Sequence, residues 1–277
     1  MKKKFIFRTG SCLLWLLPCI FCGCQKIFDY THLPGNGDAA LKVCRISKIN
    51  SSRANYVFNY NKKGDPESII TNQVTEGNPN IFFIYDKKGR LQQLLRPYAT
   101  AVNSPNITYE TWERFGYNAA GLVVKDTVFH WGRTDSDGSV IPSSALFGTF
   151  SIFVYDSNNR LIKKYDSAWS TLETLPPGIS SSFYYYDNRG NLGYITQGSA
   201  DTLRFPPYDN MINYRWTNKL WSFIDKNYSV NNPFTATSYN TYGLPLNFEV
   251  TLYQHQQTLG VIAPYVGPQA SIEYECK

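Results

Sequence analysis

Six times along this chain a tyrosine is followed by Asp or Asn and, three residues further on, by Gly or Asn. The copies are Tyr60-Asn61 with Gly64, Tyr85-Asp86 with Gly89, Tyr117-Asn118 with Gly121, Tyr155-Asp156 with Asn159, Tyr186-Asp187 with Gly190, and Tyr239-Asn240 with Gly243. Asp or Asn opens a type I turn because its side chain accepts hydrogen bonds from backbone N–H groups just ahead. Three residues later the chain needs positive φ, to form the bulge that lets such a turn join twisted strands. Gly takes that conformation freely, and Asn is its commonest substitute. The turn-forming residues are clearest at Asp86 and Gly89, Asp156 and Asn159, and Asp187 and Gly190. Successive tyrosines lie 25, 32, 38, 31 and 53 residues apart. That irregularity suits hairpins with loops of varied length better than a rigid solenoid.

The segments that enter these turns alternate. Phe58/Tyr60, Phe83/Tyr85, Phe115/Tyr117, Phe153/Tyr155 and Tyr184/Tyr186 place two rings on one face, whereas Thr237/Tyr239 keeps only the second. Leu91, Leu161 and Leu192 begin the outgoing segments. The pattern predicts an all-β fold, a curved antiparallel sheet of sequential hairpins over residues 41–277. Its rings form a ladder along one face, and a core is the expected use of that ladder ahead of a ligand platform. One stretch breaks the rhythm: Trp216, Leu220, Phe223 and Ile224 fall at helical spacing and Asn232-Pro233 closes the segment. A short helix or helical loop is expected near residues 214–226, packed over the sheet.

The repeat resembles the YD repeat of RHS-type proteins, whose hallmark is Tyr-Asp, two variable residues, Gly-Arg and Leu. Tyr85 to Leu91 matches it completely, and Tyr155 to Leu161 and Tyr186 to Leu192 differ at one position each. The copies at 60, 117 and 239 have Asn for Asp and lose the Arg. Six copies are too few for the hollow shell of the large RHS toxins. A nearer likeness is to the short YD-like lipoproteins of Bacteroidetes, whose late pattern is similar to Tyr208-Asp209-Asn210 through Asn231-Asn232-Pro233. That resemblance implies a β domain on a lipid anchor.

The N-terminus agrees with such an anchor. Lys2, Lys3, Lys4 and Arg8 precede an apolar run from Cys12 to Cys22, long enough for a secretory signal and too short to span a bilayer. The run ends in Phe21-Cys22-Gly23-Cys24, which resembles a relaxed bacterial lipobox. Cys24 is then the lipidated first residue of the mature protein, residues 1–23 the cleaved leader and 24–40 a tether; an ordinary secretory signal is the alternative. Two or three acyl chains anchor firmly where one does not. Outer-membrane attachment is expected. Gln25-Lys26-Ile27-Phe28-Asp29 lacks an acidic cluster, so a periplasmic orientation is expected ahead of a surface-facing one.

Loss of the leader removes four basic residues and lowers the formal charge from +6 to +2. No basic stripe remains for a run of phosphates, so nucleic acid is not an expected partner. Cys44 and Cys276 are the two remaining cysteines, in a compartment that permits disulfides. A bridge would tie the first strand to the last; two buried thiols are the alternative. Catalytic signals are absent. The three histidines, at 32, 130 and 255, have no ligand spacing, and no nucleophile elbow or phosphate-cradling loop occurs. Neither a metal nor a cofactor is expected. His130 reads as a half-buried packing residue, and Glu110, Glu113 and Glu249 form no convincing acid–base pair. The chain therefore reads as a non-catalytic envelope lipoprotein with a structural or protein-docking role, its loops 133–148 and 196–210 being candidate contacts. A glycan-binding lipoprotein is the second reading, motivated by 21 Tyr and by Trp112, Trp131, Trp169, Trp216 and Trp221. A lipid carrier is the third.

Overall fold

The computed structural model describes residues 44–277 apart from 101–105, 138, 144–146, 171–177, 199–200, 206, 250–261, 265 and 267–268. Cys24, the leader and the tether lie outside the described residues. The meander begins with β1 (Cys44–Ser51), β2 (Asn55–Tyr60), β3 (Pro66–Thr71), β4 (Ile81–Tyr85), β5 (Leu91–Pro97) and β6 (Thr108–Tyr117). It continues through β7 (Val123–Thr134), β9 (Phe147–Tyr155), β10 (Leu161–Ser170), β11 (Ile179–Tyr186), β12 (Leu192–Gln197) and β13 (Asp201–Arg204), with short β8 (Val140–Pro142) paired only to the far end of β7. The chain then recrosses the sheet and adds β14 (Asn247–Glu249) and β15 (Gln269–Cys276) beside β1. The result is an open, all-antiparallel curved sheet of 15 strands, with β13 and β14 at its edges.

Each of the six corners forms as its residues dictate. At the second, the Gly89 N–H donates to the Asp86 carbonyl and the Asp86 N–H to the Arg90 carbonyl, each at 2.9 Å. The Asp86 carboxylate accepts from the Lys88 and Arg90 N–H groups. Asp156 and Asp187 repeat the whole arrangement. The fourth-position residues have positive φ, +76° at Gly89, +84° at Gly190 and +59° at Asn159. The strand register shifts beside the tyrosine in each of the first five copies. The sixth corner closes around Asn240 in the same way. Tyr239 forms only an isolated bridge with Pro245, so this copy is a turn without a full hairpin.

The ring ladder lies on the sheet's inner face. Phe58, Phe83, Phe153 and Tyr184 are buried with Leu91, Leu161 and Leu192, and Tyr60, Tyr85, Phe115, Tyr117, Tyr155 and Tyr186 pack against them. The segment that recrosses the sheet covers this face. Its helix is shorter than the expected 214–226 span: a 3-10 turn (Tyr214–Thr217) stops at Asn218, and α1 covers Lys219–Ile224. Asn218 is extended and its side chain caps α1 by accepting from the Leu220 N–H. The sequence pattern also picked the wrong tryptophan. Trp221, fully buried, packs edge-on to Phe58 and Phe83, and Phe223 does so to Phe115 and Phe153, while Trp216 is only partly buried.

Candidate functional site

Most of the sequence-singled residues prove architectural. Cys44 and Cys276 face each other directly across β1 and β15 and are disulfide-bonded, so the two ends of the described chain are joined. The tyrosines have a role that sequence reasoning missed. Five hydroxyls donate to a backbone carbonyl just past the preceding corner: Tyr85 to Pro66, Tyr117 to Leu91, Tyr155 to Val123, Tyr186 to Leu161 and Tyr208 to Leu192; Tyr60 donates to the Ile46 carbonyl of β1 and Tyr239 to the Asp209 carboxylate. Burial pushes the Tyr117, Tyr155 and Tyr208 hydroxyls up to about 12, so they stay protonated donors at neutral pH. The arginine closing one turn stacks on the tyrosine of the next, Arg90 on Tyr117 at 4.7 Å and Arg160 on Tyr186 at 4.4 Å. Tyr and Arg thus fasten each hairpin to its neighbour.

Tyr208 and Asp209 open a seventh corner of the same kind. The Asp209 carboxylate accepts from the Met211 and Asn232 N–H groups, and the Asp209 N–H donates to the Asn232 carbonyl, as Asp86 does with Lys88 and Arg90. Here the loop between the two anchoring residues is stretched to carry α1. The signal was present in the sequence as a further Tyr-Asp, but with Ile212 in place of the Gly or Asn three residues on it did not match the repeat.

Of the remaining candidates, His130 is half-buried, and burial pushes its imidazole below the usual value. Glu110 accepts from the Gly77 N–H and the Tyr98 hydroxyl, a structural role. Glu113 sits on the inner face in a salt bridge with Arg96. Glu249 ends β14, and His32 and His255 lie outside the described residues. The loops 133–148 and 196–210 are described only in part.

The outer face of the sheet carries the strongest binding character. From β6 to β13 the residues between the ladder positions are themselves large and apolar. Trp112 stacks on Phe129 across β6 and β7 with ring centroids 4.8 Å apart, and Phe129 meets Trp169 edge-on. Ile152 pairs with Tyr165, Val154 with Lys163, and Lys163 with Phe183. Tyr185 stacks on Tyr194 at 4.4 Å. Ile152, Val154, Tyr165 and Tyr185 are each about two-fifths exposed and Ile179 is 79 % exposed, although a strand face turned to water is ordinarily polar. The described charges on this face from Trp112 onward are positive. Arg114 lies over Trp112, Lys163 over Tyr165 and Phe183, and Arg204 over Tyr194, with Lys125 paired to Ile152. Among the described positions that share this face from Trp112 to Arg204 there is no carboxylate. Phe153-Val154-Tyr155 and Phe183-Tyr184-Tyr185-Tyr186 held the clue, since their apolar residues occupy both faces of one strand.

No protein-family model matches this chain, and no curated protein matches it. Among the described residues no helix is long and apolar enough to cross a membrane, and no group of three or more His, Cys, Asp or Glu side chains could hold a metal ion.

Proposed function

We propose that this chain is a lipid-anchored envelope protein with a non-catalytic docking role, and that its β domain holds an acidic protein surface against the outer face of β6–β13. The observation that carries this reading is the combination of exposed Ile152, Val154, Tyr165 and Tyr185 with Arg114, Lys125, Lys163 and Arg204 on a face whose described positions from Trp112 to Arg204 include no carboxylate. Contiguous apolar surface of this kind marks interaction sites, and cations around it steer an anionic partner and fix its register. Lipid on Cys24 would leave 20 residues before the disulfide at Cys44. That is a reach of at most about 70 Å from the membrane. The outer membrane is the proposed site, with the domain in the periplasm; protease shaving of intact cells separates this from a surface-facing domain.

The test is cross-linking and affinity capture from membranes with the wild-type chain beside I152D and K163E. A stoichiometric partner that both variants lose, and that 0.5 M salt weakens, supports docking. Retention of that partner by both variants refutes it. Cys24→Ala should move the protein from the membrane to the soluble fraction, and a membrane-bound variant would refute the anchor. A second reading, capture of an anionic glycan, is favoured by the Trp112–Phe129 and Tyr185–Tyr194 stacks, since aromatic faces also pack on sugar rings. It predicts a saturable change in tryptophan fluorescence with a uronic-acid polysaccharide and none with a neutral one.

A further inference from the structure

The two residues at the tip of each corner are free to vary, because the Asp or Asn before them supplies the side-chain hydrogen bonds of the turn. In four of the six corners the tips are Ala119-Ala120, Ser157-Asn158, Asn188-Arg189 and Thr241-Tyr242. In the other two they are lysine pairs, Lys62-Lys63 and Lys87-Lys88. These turns use only the Lys63 and Lys88 backbone N–H groups, which donate to the Asn61 and Asp86 side chains at 2.9 Å. All four lysines are exposed, and they complete no ion pair among the described residues. Asp86 is taken by Arg90 at 2.8 Å, which leaves the half-buried Asp65 as the remaining carboxylate of the two corners.

The sheet brings the two pairs to one place. The corners that follow β2 and β4 lie on the same edge, two strand spacings or about 10 Å apart. In the antiparallel pairing of β1 and β2, Lys48 stands opposite Val57. Cys44, at the start of β1, is therefore about level with the first corner, and the Arg45 guanidinium accordingly lies over the Tyr60 ring at 4.7 Å. Cys44 and its disulfide partner Cys276 thus stand on the edge that carries the lysines. The opposite edge differs. There the connections 52–54 and 72–80 carry one exposed cation, Arg53, against one exposed anion, Glu76.

We propose that this corner edge rests on an anionic phospholipid surface, with Lys62, Lys63, Lys87 and Lys88 among the headgroups. The proposal rests on the lipid anchor at Cys24, whose tether enters the fold at Cys44 and so brings the membrane to the lysine side of the sheet. Each lysine near an anionic bilayer adds about fivefold to the partition onto it, and a basic patch beside an acyl anchor is a second attachment signal. The tether alone would let the domain drift to its full reach; the lysines hold it at the surface. Because the strands run away from this edge, the sheet stands on the bilayer edge-on. The outer face of β6–β13 is then turned sideways, open to a partner rather than pressed on lipid.

The experiment reconstitutes the purified full chain with vesicles of phosphatidylcholine, or of phosphatidylcholine mixed with phosphatidylglycerol, and reads the acetylation rate of each lysine by mass spectrometry. Flotation with the neutral vesicles reports the anchor by itself. A chain that fails to float with them refutes the anchor, and the corners are still read on the phosphatidylglycerol vesicles. Lys62, Lys63, Lys87 and Lys88 should react at least about threefold more slowly on the anionic vesicles than on the neutral ones. Lys163, on the outer face, should be unchanged, and 0.5 M salt should abolish the difference. Combining K62Q, K63Q, K87Q and K88Q alters only exposed side chains, so the far-UV spectrum should stay as in the wild type. In that variant Lys277, beside Cys276 on the same edge, should lose its protection. The proposal is overturned if the four lysines react alike on both vesicles, if Lys163 is shielded instead of them, or if Lys277 stays protected in the folded variant.

Discussion

Replacing Gly89 by Val isolates the backbone requirement on which the whole sheet rests. Gly89 has φ +76°, and a Cβ built there meets nothing within 4 Å. No clash contributes, so the cost is conformational. Holding a β-branched residue in the left-handed region costs about 1–3 kcal/mol. The less flexible unfolded chain returns roughly 0.4–1 kcal/mol of that. The net loss is about 1–2 kcal/mol, read as a lower midpoint in urea denaturation followed by tryptophan fluorescence. Two companions separate this cause from crowding. Gly89→Asn should recover most of the loss, because Asn159 already holds the equivalent position at φ +59°. Gly148 has ordinary φ, but a Cβ there would press on the Val128 carbonyl oxygen and the Trp169 indole. Gly148→Asn should therefore destabilise as Gly148→Ala does, with no recovery. If G89V melts with the wild type, or if G89N is as damaged as G89V, the turn reasoning is wrong.

Three further outcomes follow from the packing. Arg215 and Asp225 are each 1 % exposed and bonded at 2.6 Å, so Asp225→Ala, which strands a buried guanidinium, should cost about 3–5 kcal/mol in urea denaturation. Because the Cys44–Cys276 bridge closes a separation of 232 residues, Cys276→Ser should cost up to about 5 kcal/mol on the chain-entropy model; unchanged melting with and without reductant would contradict this. The third concerns pH. Asp126 is raised by burial and by Glu113, and faces Arg96 on β5, Lys164 on β10 and Lys226 beyond α1. Folded protein holds this proton where the unfolded chain, at its ordinary value of 3.8, has lost it. Its contribution is complete below that value and declines as pH rises toward neutrality. Melting temperature recorded against pH should show that decline in the wild type and a flatter line in Asp126→Asn.

How much of this could be read in the chain follows from how local each interaction is. A corner such as Asp86–Arg90 closes on hydrogen bonds among five consecutive residues, so Asp, Gly and their spacing specify it wherever they occur. The Phe-x-Tyr alternation likewise assigns the ladder to one face, because side chains in a strand have a period of two. The resemblance to YD repeats contributed the expectation of a lipid anchor, but not the reason for the Tyr and Arg. That reason is a bond from the Tyr hydroxyl to the neighbouring hairpin and, at Arg90 and Arg160, a stack of the guanidinium on the next ring, over separations such as the 26 residues between Leu91 and Tyr117. The helix was visible as an apolar period, yet Asn218 cut it short and Trp221 became its buried anchor only because Phe58 and Phe83 lie beneath it.

The sequence by itself determined where the chain turns and which rings share a face, since these depend on neighbours a few residues apart. Only the tertiary structure decided that β15 returns beside β1, that the excursion from Asp209 to Asn232 is one more corner enlarged to hold α1, and that the buried Asp126 comes to face Lys226 beyond α1. Those outcomes depend on which strands become neighbours across the sheet, and a local pattern carries no information about partners a hundred residues away.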